Sequence, residues 1–389
     1  MNKTINRLAI IILFLMMLMS AVIESMRGIL VPSFKDMIGM NNTMVAAMLT
    51  MGSIGYVGAT YLADVIRSRL GNKRLMLSAA LMLIASAVTL AFTVNYPMYV
   101  LGMVLMNIGL GLNSVGANVL IPMMILTMQA FVMNSLHFMY GVGAMLGQRV
   151  SGYLVTQGVG PRQLYLAVFF IYLVWFGLLL LSRFPEASED EAEGLPLKVF
   201  FRDPFFWLYI LGLAGYVFGE QGLAVWLTDY LKESYAIDEN HASLILSAFF
   251  ILLAIGRLLG GLFIDRLGRY RSVLGGMIIG GGLVFSGLMS GDRWLPLISL
   301  AGLFYSIVFP TMVLTIAHHF PRARAQAISL ILTGTSALVM VYNQLMGILA
   351  DEVGYRLAIF LVPLGTLIAI LFLGRLAVKT KQASESIGP

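Results

Sequence analysis

Apolar residues fill this chain in stretches of about twenty, separated by short segments that carry most of the Lys, Arg, Asp and Glu. A helix rises about 1.5 Å per residue, so crossing the hydrocarbon of a bilayer takes about 20 predominantly apolar residues. On that template the pattern predicts twelve spanning helices. The first six are 8–31, 43–63, 74–94, 97–125, 134–157 and 163–182; the second six are 204–231, 242–263, 272–290, 294–317, 325–348 and 355–377. Polar positions interrupt 97–125 (Asn107, Asn113, Asn118) and 134–157 (His137, Arg149). The longest polar interval, 183–203, holds Glu186, Glu189, Asp190, Glu191 and Glu193 and divides the spans six and six. The expected organisation is a bundle over 1–182, an acidic cytoplasmic linker over 183–203, and a second bundle with a short tail over 204–389. An acidic segment that binds a partner is the alternative for the linker. The fold class is all-α integral membrane, with twelve transmembrane helices in two pseudo-symmetric six-helix bundles.

Composition excludes the soluble alternatives. Of 389 residues, 59% are hydrophobic and 11% charged, where an ordinary soluble domain carries about 25% charged residues. Disorder needs the opposite balance. With no cysteine there is no disulfide, zinc finger or thiol nucleophile to consider. Lys3 and Arg7 before an apolar run imitate a secretory signal, but the run continues to Val31 through Glu24 and Arg27, as a retained first span does.

The net charge of +6 is explained by where the basic residues fall. With the N-terminus inside, seventeen of the 25 fall in cytoplasmic segments, five (Lys35, Arg162, Lys232, Arg293, Arg356) outside, and three (Arg27, Arg149, Arg257) within spans. Both termini are then cytoplasmic in an integral plasma-membrane protein, of the bacterial cytoplasmic-membrane kind, and the basic excess serves topology and lipid contact rather than nucleic acid.

The halves echo each other. Glu24 precedes Gly58, Asp64, Arg67, Arg69 and Gly71; Glu220 precedes Gly261, Asp265, Arg266, Gly268, Arg269 and Arg271. A second echo pairs Gly160-Pro-Arg162 with Gly354-Tyr-Arg356. Internal repeats in a polytopic protein place a substrate site near the midplane, at their interface. Asp64 and Asp265, with Arg266 and Arg269, are candidate gating residues, because a carboxylate at a helix end facing basic residues makes a latch that can break and re-form.

An ionisable side chain within a span costs at least about 2.5 kcal/mol and is a functional candidate by default. Glu24 and Arg27, three residues apart, can pair, and the helical rise puts Arg149 at a similar depth. A carboxylate between two guanidinium groups would resist protonation, so proton coupling, a structural ion pair and substrate contact all stay open for Glu24. Glu220 has no arginine near it in sequence and is flanked by Gly219, Gln221 and Gly222; it is a candidate for proton coupling and for substrate contact. Trp226 can stack on a sugar face, or, with Tyr230, anchor at the interface. Asn107, Ser114 and Asn118 share one helix face, and Asn118, Asn343 and Gln344 are the best hydrogen-bonding candidates, with inter-helix glue as their alternative. His137 is a candidate contact near a helix end. Arg257 either anchors an inner gate or snorkels to the cytoplasm. The glycines of 275–282 suit close helix packing, not a phosphate loop.

The Gly261-x-x-x-Asp265-Arg266-x-Gly268-Arg269 pattern resembles the loop motif of the major facilitator superfamily, and the Gly58-to-Gly71 copy is a looser version. Asn134-x-x-His137, followed by Gly141-x-Gly143-Ala144-x-x-Gly147, resembles the fifth helix of the fucose–galactose–glucose:proton symporter family. Gly109-Leu-Gly111 with Ala117-Asn118 is similar to that family's fourth helix, Gly219-Glu220 with Trp226 and Tyr230 to its seventh, and Phe309-Pro310-Thr311 to its tenth. Gln148, polar where the family pattern continues with proline, joins the candidate contacts. The resemblance implies secondary active transport of a small polar organic solute, a sugar, by alternating access, with protons as the coupling ion. The expected partners are the solute, membrane lipid and protons, acting on a monomer with no cofactor, no metal and no catalytic residues. An exporter of amphipathic drugs or lipids is the alternative. A non-transporting sensor ranks lower for want of an appended soluble domain, and an enzyme for want of a convergent nucleophile–base set.

Overall fold

The computed structural model describes residues 7–40, 42–125, 127–185, 195–237 and 239–386. The helices are α1 (Arg7–Ile38), α2 (Asn42–Leu70), α3 (Asn72–Ala91), α4 (Tyr96–Met124), α5 (Gln129–Thr156), α6 (Pro161–Leu181), α7 (Leu197–Arg202), α8 (Pro204–Tyr235), α9 (Glu239–Leu267), α10 (Arg269–Met289), α11 (Pro296–Tyr305), α12 (Val308–His319), α13 (Arg324–Val353), α14 (Tyr355–Ala358) and α15 (Leu361–Ser386). Among the described residues ten helical stretches are long and apolar enough to cross a membrane. The remaining predicted spans, 43–63 and 134–157, fall in α2 and α5, helices of 29 and 28 residues made less apolar by their Ser, Thr, Asn, His and Arg positions.

Two predicted spans are broken by proline. Pro310 has no N–H for the carbonyl four residues back, and its ring crowds that carbonyl, so α11 and α12 are separated at residues 306–307. Pro363 stands in the same relation to Ile359, where α14 gives way to α15. The acidic residues of the expected linker, Glu186 to Glu193, lie outside the described residues. Its end forms the short α7, exposed along its length except at Phe200, which is buried against Phe206 and Phe320.

Contacts divide the chain into two units. Unit 1 takes Met1–Thr127, Met139–Gly194 and Pro321–Thr333; unit 2 takes Met128–Phe138, Leu195–Phe320 and Gly334–Pro389. In unit 1 a core of Phe34, Leu83, Leu90, Met103, Met106, Tyr165 and Tyr172 joins α1, α3, α4 and α6. Glycine sets the helix spacing: a Cβ at Gly109 would lie 2.6 Å from Leu83, and one at Gly147 2.6 Å from the Val22 carbonyl oxygen. Gly143 likewise meets the Leu18 carbonyl, so α5 lies directly on the backbone of α1. Asn113 on α4 donates to Ser20 Oγ at 2.9 Å, tying α4 to α1.

Unit 2 repeats the device. Gly261 faces Phe131 Cα at 2.9 Å from its would-be Cβ, which lets the start of α5 lie on α9. Of the glycines of 275–282, the inner ones sit at close crossings, Gly276 meeting the Phe304 carbonyl at 2.6 Å and Gly281 the Thr366 methyl at 2.8 Å, while Gly275 and Gly282 have nothing within 4 Å of a would-be Cβ. The turns of the repeated loop motif match closely. Gly71 and Gly268 both have φ +88°, a left-handed conformation that strains any residue with a side chain, and each returns its N–H to the helix it ends, at 2.8 Å to Arg67 and 2.9 Å to Ile264.

Gly143→Ala is expected to destabilise by about 1–3 kcal/mol, since the methyl would push against the Leu18 backbone and the rigid Ala21 methyl. Gly58→Ala, with nothing within 4 Å of its Cβ, should leave the protein as stable or about 0.5–1 kcal/mol more so. Thermal unfolding of the two variants in detergent checks the contrast.

Candidate functional site

Polar side chains within the spanning helices form sets in each unit. In unit 2, Pro310 leaves the Ser306 carbonyl without its helical donor, and Arg257 Nε donates to it at 3.3 Å. The same guanidinium donates through Nη2 to Glu220 Oε1 at 3.3 Å and through Nη1 to the His137 carbonyl at 3.4 Å. Glu220's other oxygen accepts from the Tyr216 hydroxyl, one turn earlier on α8, which is also 2.9 Å from the Tyr305 carbonyl. Tyr305 and Thr366 hydroxyls meet at 2.7 Å. Glu220 and Arg257 are 8% and 6% exposed.

The arginine that Glu220 lacks in its sequence neighbourhood is supplied by the fold. The nearest in sequence is distant, but α8 and α9 bring Arg257 against it across 37 positions. Arg257 is accordingly neither snorkelling nor at a helix end. His137 is buried, its ring edge-on to Phe309 at 5.3 Å between centroids.

Trp226 and Asn343, chosen separately from the sequence, are brought together: Trp226 Nε1 donates to Asn343 Oδ1 at 3.1 Å, while Asn343 Nδ2 donates to the Val339 carbonyl at 3.1 Å. Both are partly exposed, and Gln344 beside them is exposed. Tyr230 is 1% exposed, with its hydroxyl 3.3 Å from that of Tyr235, and so is an internal contact rather than an interfacial anchor.

In unit 1, Tyr140 lies three and seven positions before Gly143 and Gly147, on the face of α5 that packs on α1, and its hydroxyl donates to Glu24. Arg27, one turn on from Glu24, acts electrostatically on the hydroxyls of Tyr99, Tyr140 and Tyr165. Glu24, Arg27, Tyr56 and Tyr140 are all partly exposed. Arg149 does not join them. It follows Gly147 by two residues, about 200° around the helix, and is exposed. Asn118 is fully buried and donates to the Ser114 carbonyl of its own helix at 2.8 Å.

Among the gating candidates, Asp64 pairs with Arg67 on its own helix at 3.1 Å, where Arg67 is 2% exposed. Arg266 is exposed and Arg269 half-buried. The side chains of Gln148 and Asp265 lie outside the described residues. Sequence reasoning missed Tyr140, Tyr216, Tyr305 and Ser306; the i, i+4 spacing of Tyr216 to Glu220 and the Pro310 offset to Ser306 were the available signals.

Spanning helices with charges turned inward onto helix-breaking prolines are the build of a polytopic membrane transport protein. The family model of the Major Facilitator Superfamily matches residues 13–235 and 214–388, and the chain belongs to that superfamily, whose members are transporters rather than enzymes. An uncharacterised MFS-type transporter of Yersinia pestis is 23% identical over 251 residues, 64% of either chain, so the match spans under two thirds of that relative. The crystal structure of a point variant of the E. coli fucose:proton symporter aligns over 96% of this chain and 99% of that one, with a TM-score of 0.81 at 18% identity. The proton:xylose symporter bound to 6-bromo-6-deoxy-D-glucose aligns over 96% of both chains, with a TM-score of 0.78 at 14% identity. At these identities the likeness is one of fold.

Removing one member of a buried ion pair costs about 3–5 kcal/mol, whereas removing both leaves no uncompensated charge. Arg257→Met alone should therefore destabilise more than Arg257→Met with Glu220→Gln. A double-mutant cycle by chemical unfolding in mild detergent measures the coupling; equal losses in single and double variants would remove the pair from the account.

Proposed function

We propose that this protein moves a small polar organic solute of the sugar type across the membrane by alternating access of two six-helix bundles, with both termini in the cytoplasm and protons as the coupling ion. The observation that carries this reading is the pair of partly exposed polar sets inside spanning helices: Glu24 with Tyr140 in unit 1, and Trp226 with Asn343 in unit 2. An indole whose N–H is already held by an amide keeps its ring face for stacking, and the amides and hydroxyls around it suit a solute rich in hydroxyl groups. The fold's likeness to a fucose:proton and a proton:xylose symporter supports the same solute class.

The two carboxylates differ as coupling groups. Glu220 carries a fixed counter-charge in Arg257, and protonating it would strand a guanidinium that is 6% exposed. Glu24 has a neutral partner in Tyr140 and a partly exposed side, so it can take and release a proton without stranding a buried pair. Glu24 is the proposed coupling residue, and Glu220 with Arg257 the rigid support of unit 2.

In proteoliposomes, Glu24→Gln is expected to abolish accumulation driven by an imposed proton gradient while leaving solute counterflow within about tenfold of wild type. Full proton-driven accumulation in that variant would eliminate Glu24 as the coupling group. Uptake of amphipathic cations with no uptake of sugars or their derivatives would replace the solute class.

A further inference from the structure

Of the three arginines within predicted spans, Arg149 is exposed, whereas the buried Arg257, like the buried Arg67 in the last turn of α2, has an acidic partner. Arg67 holds Asp64 and Arg257 holds Glu220. Arg27 has no ion pair or hydrogen bond among the described residues, although it lies within the predicted span 8–31, toward its C-terminal end, and is half-buried. Glu24 is one turn away, but its carboxylate is taken by the Tyr140 hydroxyl. Behind Arg27 stand Tyr99 and Tyr165, both fully buried, their hydroxyls without a hydrogen-bond partner among the described residues and within electrostatic reach of the guanidinium. Phe34 fixes both rings, at 4.5 and 6.2 Å between centroids.

Building on the transport reading above, we propose that Arg27 is the recognition point for a carboxylate, and that the transported solute is a hydroxylated carboxylic acid of the sugar-acid type rather than a neutral sugar. A guanidinium presents a planar fork of donors that matches a carboxylate in two parallel hydrogen bonds. An unpaired cation within a span is far more costly than one that meets its anion during the transport cycle. Glu24, Arg27, Tyr56 and Tyr140 are each partly exposed, so the guanidinium is not sealed off by packing as Tyr99 and Tyr165 are.

Charge balance then ties the solute to the proton. With the site empty, Glu24 and Arg27 together carry no net charge. A carboxylate on Arg27 takes over its compensation and leaves Glu24 as an excess negative charge, which a proton neutralises. Among the described residues Tyr56 on α2 and Tyr140 on α5 face Glu24, with Arg27 one turn along its own helix, and none of these supplies a second positive charge. One acid and one proton enter together, and the step moves no net charge.

The test compares galacturonate and gluconate with galactose and glucose, by ligand-induced thermal stabilisation in detergent and by counterflow in proteoliposomes. The acids are expected to bind and exchange, with uptake unaffected by a potassium-diffusion potential. Arg27→Gln should weaken acid binding at least tenfold, and Arg27→Lys, which keeps the charge without the fork, less than Arg27→Gln does. Arg27→Lys also serves as the variant of record if Arg27→Gln does not fold. If the neutral hexoses bind and exchange while the acids do not, this proposal falls and the sugar-transport reading stands. If Arg27→Gln folds and binds the acids as wild type does, Arg27 is not the recognition point. If neither class is bound, both readings fall.

Discussion

A charge enclosed by bilayer-spanning helices has to be neutralised and its hydrogen-bonding groups satisfied, and in unit 2 one guanidinium meets that requirement for several elements at once. Arg257 donates to a carboxylate on α8, to the carbonyl exposed between α11 and α12, and to a carbonyl on the first turns of α5. Each acceptor exists for a local reason. Pro310 withholds an N–H from Ser306, and Glu220 needs a counter-charge that Tyr216 alone cannot supply. The proline that breaks the helix and the arginine that repairs the break are 53 positions apart in the chain, and neither makes sense without the other.

Unit 1 meets the same requirement in a looser way. Its acid, Glu24, is held by a neutral phenol, and its base, Arg27, sits one turn away against tyrosines. The repeat in the sequence, Glu24 before Asp64 and Glu220 before Asp265, therefore does not carry through to equal chemistry. The carboxylate in unit 2 is locked by a buried pair, while the one in unit 1 is partly exposed and free of a fixed counter-ion. Duplicated bundles that diverge in this way divide the labour between a support and a responsive site, and that division is the reason coupling is proposed for unit 1.

The helices were legible because hydropathy counts residues against a fixed bilayer thickness, and the breaks at Pro310 and Pro363 follow from the missing N–H. The matched turns at Gly71 and Gly268 were legible as a motif, and their equal φ is its physical content. Trp226 and Asn343 could each be picked out as costly in lipid, but not as a pair, since 117 positions separate them. What could not be read was which face of each helix meets which neighbour. Arg149 was placed with Glu24 by depth alone; rotation about α5 takes it away. Tyr230 was read as an anchor by its place near a span end, yet packing encloses it. Depth is a one-dimensional count, whereas facing depends on where two backbones can touch.

Those touching points are glycines, and in unit 2 they stand next to the charges. Gly256 packs against the Leu303 carbonyl, 2.5 Å from its would-be Cβ, and against Ser306; the next residue is Arg257, which bonds the Ser306 carbonyl. Gly219 packs against the Thr366 hydroxyl, 2.7 Å from its would-be Cβ, and the next residue is Glu220. In unit 1 the same logic runs through Gly143 and Gly147, whose contact with α1 brings Tyr140 onto Glu24. A glycine at the crossing lets two helices approach until a neighbouring side chain can reach across to backbone or carboxylate; a larger residue would widen the gap beyond the 3.3 Å over which Arg257 now acts. The small residue fixes the distance and the charged residue beside it uses that distance, so glycine and charge have to be read as one feature of the sequence.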